Sequence, residues 1–219
     1  MEILRTPEEC FNNLEDYNFN ENYITITIAD KLSARMHYVD VNGDSDETIL
    51  LLHGEPTWSY LYRKMIPILE KSGKRIIAPD LIGFGKSDKI KEKEEYTYER
   101  HVVWTSEIIS QLGLKNITLF AQDWGGLIGL RMVANHPELF DGLVLSNTWL
   151  PIGKGSSEGF DAWKKYSQTV EKFNSGRIVY GGTVNKISDK AVEAYNAPFP
   201  GEDYLACARQ FPTLVPMDP

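Results

Sequence analysis

The chain has 219 residues, enough for one α/β domain with or without a small addition, and long enough to bury a real core. Hydrophobic residues make up 42% and charged residues 25%, as in an ordinary globular protein, and a formal net charge of -8 without a Lys/Arg cluster argues against a nucleic acid partner. Two cysteines, Cys10 and Cys207, exclude a disulfide framework and a metal-type spacing, and no apolar run approaches the roughly 18 residues that would cross a bilayer.

Residues 1–22 are polar and Asn-rich, with Phe11, Leu14, Tyr17 and Phe19 as anchors on the core. Residues 23–28 alternate strictly and are β-branched, which predicts a half-buried strand. Ala29-Asp30-Lys31-Leu32 turns the chain into a second strand over 33–41, giving an antiparallel hairpin. The apolar run 48–52 reads as a buried strand ending at His53-Gly54-Glu55-Pro56-Thr57-Trp58, and 59–69 as a helix. A Gly-containing turn in that place can aim backbone N–H groups at a developing oxyanion, or be an ordinary turn with Thr57 as cap.

Residues 75–79 predict another strand, followed by Asp80-Leu81-Ile82-Gly83-Phe84-Gly85-Lys86-Ser87. Gly85-Lys86-Ser87 is the tail of a P-loop pattern, but the first Gly of that pattern falls on Asp80, whose charge repels phosphate. Residues 89–95 read as a charged, solvated loop instead of a helix, so nucleotide binding is rejected. A helix follows over 96–112, with Thr97 as cap and Gly113 as stop.

The stretch 117–134 organises the rest. Ile117-Thr118-Leu119-Phe120-Ala121-Gln122 suits a buried strand, and Leu127-Ile128-Gly129-Leu130-Arg131-Met132-Val133-Ala134 has helical spacing, so Asp123 stands on the turn between them. In a nucleophile elbow the positions two before and two after the nucleophile must be small, and here they are Ala121 and Gly125. Asp123 could instead be a plain N-cap, although that does not explain Gly125 and Gly126, each costing about 1 kcal/mol in a helix. As a nucleophile, an Asp is already ionised at pH 7 and can attack a saturated carbon bearing a leaving group. The resulting ester needs a general base for its hydrolysis, normally histidine.

Residues 143–146 predict a further strand ending at Asn147, and strands alternating with helices imply a largely parallel sheet. From Pro151 the rhythm changes. Gly153, Gly155 and Gly159 form an entrance, and short helices are expected over 160–173, 189–195 and 204–209, with a strand at most over 177–180. The reading is a partial α/β core over 1–149 and a helical cap over 150–219.

With these motifs in place the sequence resembles an α/β-hydrolase, and more narrowly the haloalkane dehalogenases, in the subgroup typified by the 1,2-dichloroethane-degrading enzyme. The resemblance runs over 5–215 and is sharpest at 53–67, at Gly83-Phe84-Gly85-Lys86-Ser87-Asp88 and at Gln122-Asp123-Trp124-Gly125-Gly126. It implies Asp123 as nucleophile, the indole N–H groups of Trp124 and Trp163 as halide donors, and the backbone N–H groups of Glu55 and Trp124 as the oxyanion hole. Phe160, Leu127, Pro212 and Val215 would line a small apolar pocket, while Trp58, Trp104 and Trp149 are left as packing residues. The implied partners are a small halogenated alkane, water and the halide product, with no membrane, no metal and no organic cofactor.

One departure stands out. In that family the water-activating His and, in this subgroup, its Asp partner follow the cap, whereas His37, His53, His101 and His136 all precede it. The place where another subgroup carries its acid holds Asn147. The expectation is therefore a dehalogenase with nucleophile and halide donors present, base absent and the final core strands missing, which leaves an exposed sheet edge. A monomer is expected for a complete chain. The rival readings are an epoxide hydrolase, which needs a donor among lid tyrosines such as Tyr166, Tyr180, Tyr195 and Tyr204, and a non-catalytic binding remnant. Residues 1–5 lack a long apolar core and Glu8 and Glu9 soon follow, so no secretory signal and a cytoplasmic location are expected.

Overall fold

The computed structural model describes all residues except Asp30, Ile152, Lys154, Asp218 and Pro219. The hairpin forms as the alternation predicts: β2 (Asn22–Ala29) runs antiparallel to β3 (Leu32–Val41), after a short β1 (Ile3–Leu4). Asp30, in its turn, lies outside the described residues. The buried runs give β4 (Thr48–Leu52), β5 (Arg75–Pro79), β7 (Ile117–Gln122) and β8 (Phe140–Ser146), with a two-residue β6 (Lys89–Ile90) in between. The main sheet has six strands in the order β2-β3-β5-β4-β7-β8. β4 pairs in parallel with both β5 and β7, and β7 with β8, while β3 pairs antiparallel with β5. The strand order thus reverses at β4, and in such sheets a ligand crevice opens at the carboxyl ends of the strands flanking the reversal.

Four expectations are corrected. Residues 59–69 do not make one helix: a 3₁₀ turn (Ser59–Tyr62) is followed by α1 (Ile66–Leu69), because Pro67 has no N–H and its ring opposes a helical carbonyl at Arg63. The charged run begins buried, not solvated: Lys89 is 1% exposed and donates through Nζ to Gly85 O and Ser87 O, each at 2.8 Å, while β6 pairs with β1. Burial pulls the Lys89 ammonium down to about 7. Residues 177–180 belong to a helix, α5 (Ser175–Gly181), whose cap Asn174 accepts the Arg177 N–H. The fourth concerns Trp149 and is taken up with the site.

The remaining helices are α2 (Tyr98–Leu112), capped by Thr97 and stopped by Gly113 at φ 61°, α3 (Trp124–Asn135), α4 (Glu158–Thr169), α6 (Asp189–Asn196) and α7 (Ala206–Leu214). None of the described helices is long and apolar enough to cross a membrane. Segments distant in sequence meet in aromatic contacts. Phe211 of α7 lies 4.5 Å from the Trp124 ring and 4.6 Å from His101, and the Trp58 indole donates to Ala194 O of α6 at 3.2 Å. At the opposite margin of the sheet β8 exposes Leu143, Val144 and Leu145, each nearly half accessible.

Candidate active site

Two turns at the reversal of strand order build the site: residues 53–58 after β4, and Asp123 after β7. Asp123 has φ 52° and ψ -125°, a backbone rare for a residue with a side chain, and the neighbourhood over-determines it. Its N–H donates to Asn147 O at 3.2 Å, and its carbonyl accepts from Gly126 N and Thr148 Oγ1, each at 2.8 Å. The two small residues that the sequence flags here have steric causes. A Cβ on Gly125 would meet Leu52 O at 2.2 Å, and one on Gly126 would meet Thr148 Oγ1 at 2.0 Å. A plain cap is ruled out as well, since no cap hydrogen bond is made by the Asp123 side chain.

The carboxylate instead turns toward the first loop. Glu55 N–H donates to Asp123 Oδ1 at 2.8 Å, and the Trp124 N–H also bonds the carboxylate. Burial pushes the Asp123 pKa up and these two amides pull against it, with the net result above the ordinary carboxylate value. The carboxylate opens on a cavity of about 90 Å³ lined by Glu55, Trp124, Leu127, Phe160, Trp163, Pro212 and Val215, together with Trp149. Every site residue expected from the sequence therefore meets in one place. Trp149 was expected only to pack, but it lines this cavity and stands 6.3 Å from Phe160. Nothing in its local sequence separates it from Trp58 or Trp104, which are 0% and 2% exposed. Among the described residues neither the Trp124 nor the Trp163 indole donates to a protein acceptor, in contrast to Trp58.

Such a pocket suits a small apolar molecule that carries a group able to accept two indole N–H bonds, with a fixed carboxylate facing its carbon. The Glu55 carboxyl sits beside it. Burial, reinforced by the Asp123 charge, raises the Glu55 pKa well above the usual range.

No histidine lines the cavity. His37 Nδ1 lies 2.8 Å from Asp80 Oδ2, and His53 Nε2 accepts from Leu81 N at 3.0 Å, so His53 Nδ1 carries the proton and donates to Gly54 O. His101 is sealed against Tyr96, Trp104 and Phe211, and burial pushes its pKa down to about 3. His136 is at the far end of α3 beside Glu138. The tyrosines needed for an epoxide hydrolase are also absent from the lining. Tyr195 packs on Tyr60, and Tyr166 stacks on Trp163.

The sequence matches the family model described as the alpha/beta hydrolase fold over residues 47–180. It is 52% identical to the haloalkane dehalogenase of Psychrobacter cryohalolentis and 48% identical to that of Mycolicibacterium paratuberculosis, in each case over 100% of this chain and 73% of the relative. Among solved structures it is similar to the tetrameric haloalkane dehalogenase DpaA from Paraglaciecola agarilytica NO2, with 38% identity and a TM-score of 0.94 over 100% of this chain and 73% of that one. On fold, site and likeness together, the chain belongs to the haloalkane dehalogenase family.

Proposed function

We propose that Asp123 attacks the halogen-bearing carbon of a short haloalkane and leaves an alkyl ester on its own carboxylate. The observation that carries this reading is the Asp123 carboxylate at the elbow, held at 2.8 Å by Glu55 N–H and facing a cavity that Trp124 and Trp163 line. The Asp123 oxygen bonds to carbon as the carbon–halogen bond breaks, and the halide leaves with the electron pair. Two indole donors take up the developing charge, and hydrogen bonds to a charged group contribute about 1.5 to 3 kcal/mol each. The volume of about 90 Å³ favours substrates of only a few heavy atoms.

Residues 1–149 act in this reading as the core and 150–219 as a lid. The lid supplies Trp163, Phe160, Pro212 and Val215, so halide binding and lid position are coupled. The Glu55 and Trp124 N–H groups form the oxyanion hole for the later hydrolysis. Within the 219 residues that step has no histidine beside it, so the ester persists. Intact-mass spectrometry after incubation with 1,2-dibromoethane tests the reading. One adduct per chain, mapping to Asp123, is the expected result; a folded chain that takes up no alkyl group overturns it.

A further inference from the structure

Arg209 of α7 ties together the two helices that meet over the pocket. We infer that Arg209 is a positioning residue that sets the spacing of the two halide donors, Trp124 and Trp163, and with it the preference among leaving halides. The inference deepens the alkylation reading above and rests on it for the reacting halide, though not for binding of the free ion.

All three nitrogens of the Arg209 guanidinium are engaged. Nη1 donates to Ser167 O at 2.8 Å, Nη2 to Val170 O at 2.9 Å, and Nε to Glu202 Oε1 at 2.5 Å. Ser167 lies in the last turn of α4 and Val170 is the cap residue after it, where carbonyls lack a partner within the helix and a cation is favoured. In return Gln168 Nε2 of α4 donates to Arg209 O at 2.5 Å. The Arg209 side chain is only 14% exposed, so its bonds to α4 are largely covered, whereas Glu202 at 59% is a surface partner that contributes little.

This clasp joins two walls of the pocket. Trp163 lies four residues before Ser167, one turn away on the same face of α4. Its ring is 6.2 Å from that of Phe173, over which the Arg209 guanidinium sits at 5.5 Å. On α7, Phe211 packs at 4.5 Å on the Trp124 ring and Pro212 lines the pocket. One side chain therefore connects the helix that packs on the first donor with the helix that carries the second. Two N–H groups aimed at one ion hold the smallest halide only while their separation is fixed, since a larger ion still reaches both after they move apart. Arg suits this role and Lys does not: a planar fork bonds two carbonyls and a carboxylate at once, and an ammonium is a point charge.

The test compares the 219-residue chain with Arg209→Lys and Arg209→Met, each checked for folding by circular dichroism. Sodium chloride and sodium iodide are titrated at constant ionic strength while the indole N–H signals of Trp124 and Trp163 are followed in the ¹⁵N-labelled chain. In the parent both signals should shift with one midpoint. In Arg209→Met the chloride midpoint should rise at least about tenfold and the iodide midpoint no more than about threefold, with Arg209→Lys between. Alkylation should likewise slow more with 1-chloropropane than with 1-iodopropane. A residue that only stabilises the fold lowers the folded fraction and leaves this chloride-to-iodide ratio where it was. If Arg209→Met does not fold, the ratio in Arg209→Lys decides. Equal losses for both halides, unchanged midpoints, or no halide-dependent shift at either indole of the parent overturns the inference. If halide binds as predicted and no alkyl adduct forms on Asp123, the alkylation reading fails and the role of Arg209 in spacing the donors stands.

Discussion

Asp80 and Asp123 each stand one residue past the end of a strand in the same sheet, Asp80 after β5 and Asp123 after β7. Asp80 is saturated: Oδ1 accepts from Ser59 N at 2.7 Å, and Oδ2 lies 2.8 Å from both His37 Nδ1 and Lys86 N. Burial opposes its ionisation, but the charge and hydrogen bond of His37, aided by the Ser59 amide, hold its pKa at about 2. Gly85, at φ 51°, folds the loop so tightly over this carboxylate that a Cβ would fall 2.2 Å from it. Asp123 receives two backbone amides and, among the described residues, no charged partner, and its pKa moves the other way. Equal burial thus yields opposite shifts in the two loops: each carboxylate takes two backbone amides, and only Asp80 also has a histidine against it.

The largest effect that separates them is on chemistry. Asp123→Ala should abolish adduct formation with 1,2-dibromoethane while chemical denaturation finds stability within about 1 kcal/mol of the parent, because removal of a buried carboxylate without a charged partner loses little. Asp80→Asn should do the reverse, lowering stability by about 3 kcal/mol through loss of a buried charge pair while the folded fraction still alkylates. If both variants lost stability equally, the contrast would collapse.

A smaller effect is expected at the halide side of the pocket. Trp163→Phe keeps an aromatic ring but removes one N–H, and alkylation followed by stopped-time mass analysis should slow about 10- to 100-fold. An unchanged rate would mean that the halide leaves toward another group.

The same strand-to-loop logic was only partly legible in the sequence. The elbow could be read because its demands are local: a short apolar run, a turn residue, and two glycines where a Cβ cannot fit. The cavity lining could be named from likeness, since Trp163, Pro212 and Val215 reach Asp123 only through the folding of distant helices. Lys89 was misjudged because it heads a run of charges, and its burial is decided by β1, more than eighty residues away, and by two carbonyls in the preceding loop. Residues 177–180 look like a strand by β-branching, and the Asn174 cap and packing of α5 on α6 override that propensity. Trp149 carries no local mark at all.

Lys89 also supplies a pH-dependent effect. Its folded pKa of about 7 is below the unfolded value near 10.4, so between them the unfolded chain binds more protons than the folded one. Stability attributable to this group should therefore rise from pH 7 toward pH 10, by on the order of 1 kcal/mol per unit at most. Denaturation of Lys89→Met across that range should lack this rise. If the parent and the variant followed the same curve, Lys89 would not be held as an unprotonated amine.

The central claim is that this stretch of chain performs displacement at Asp123 and stops at the ester. Bromide released from 1,2-dibromoethane, followed in time against a known concentration of folded chain, addresses it most directly. A burst equal to one bromide per chain, then no further release in buffer without added base, is the predicted result. Continued linear release at many bromides per chain would contradict it, and absence of the burst would remove Asp123 as the nucleophile.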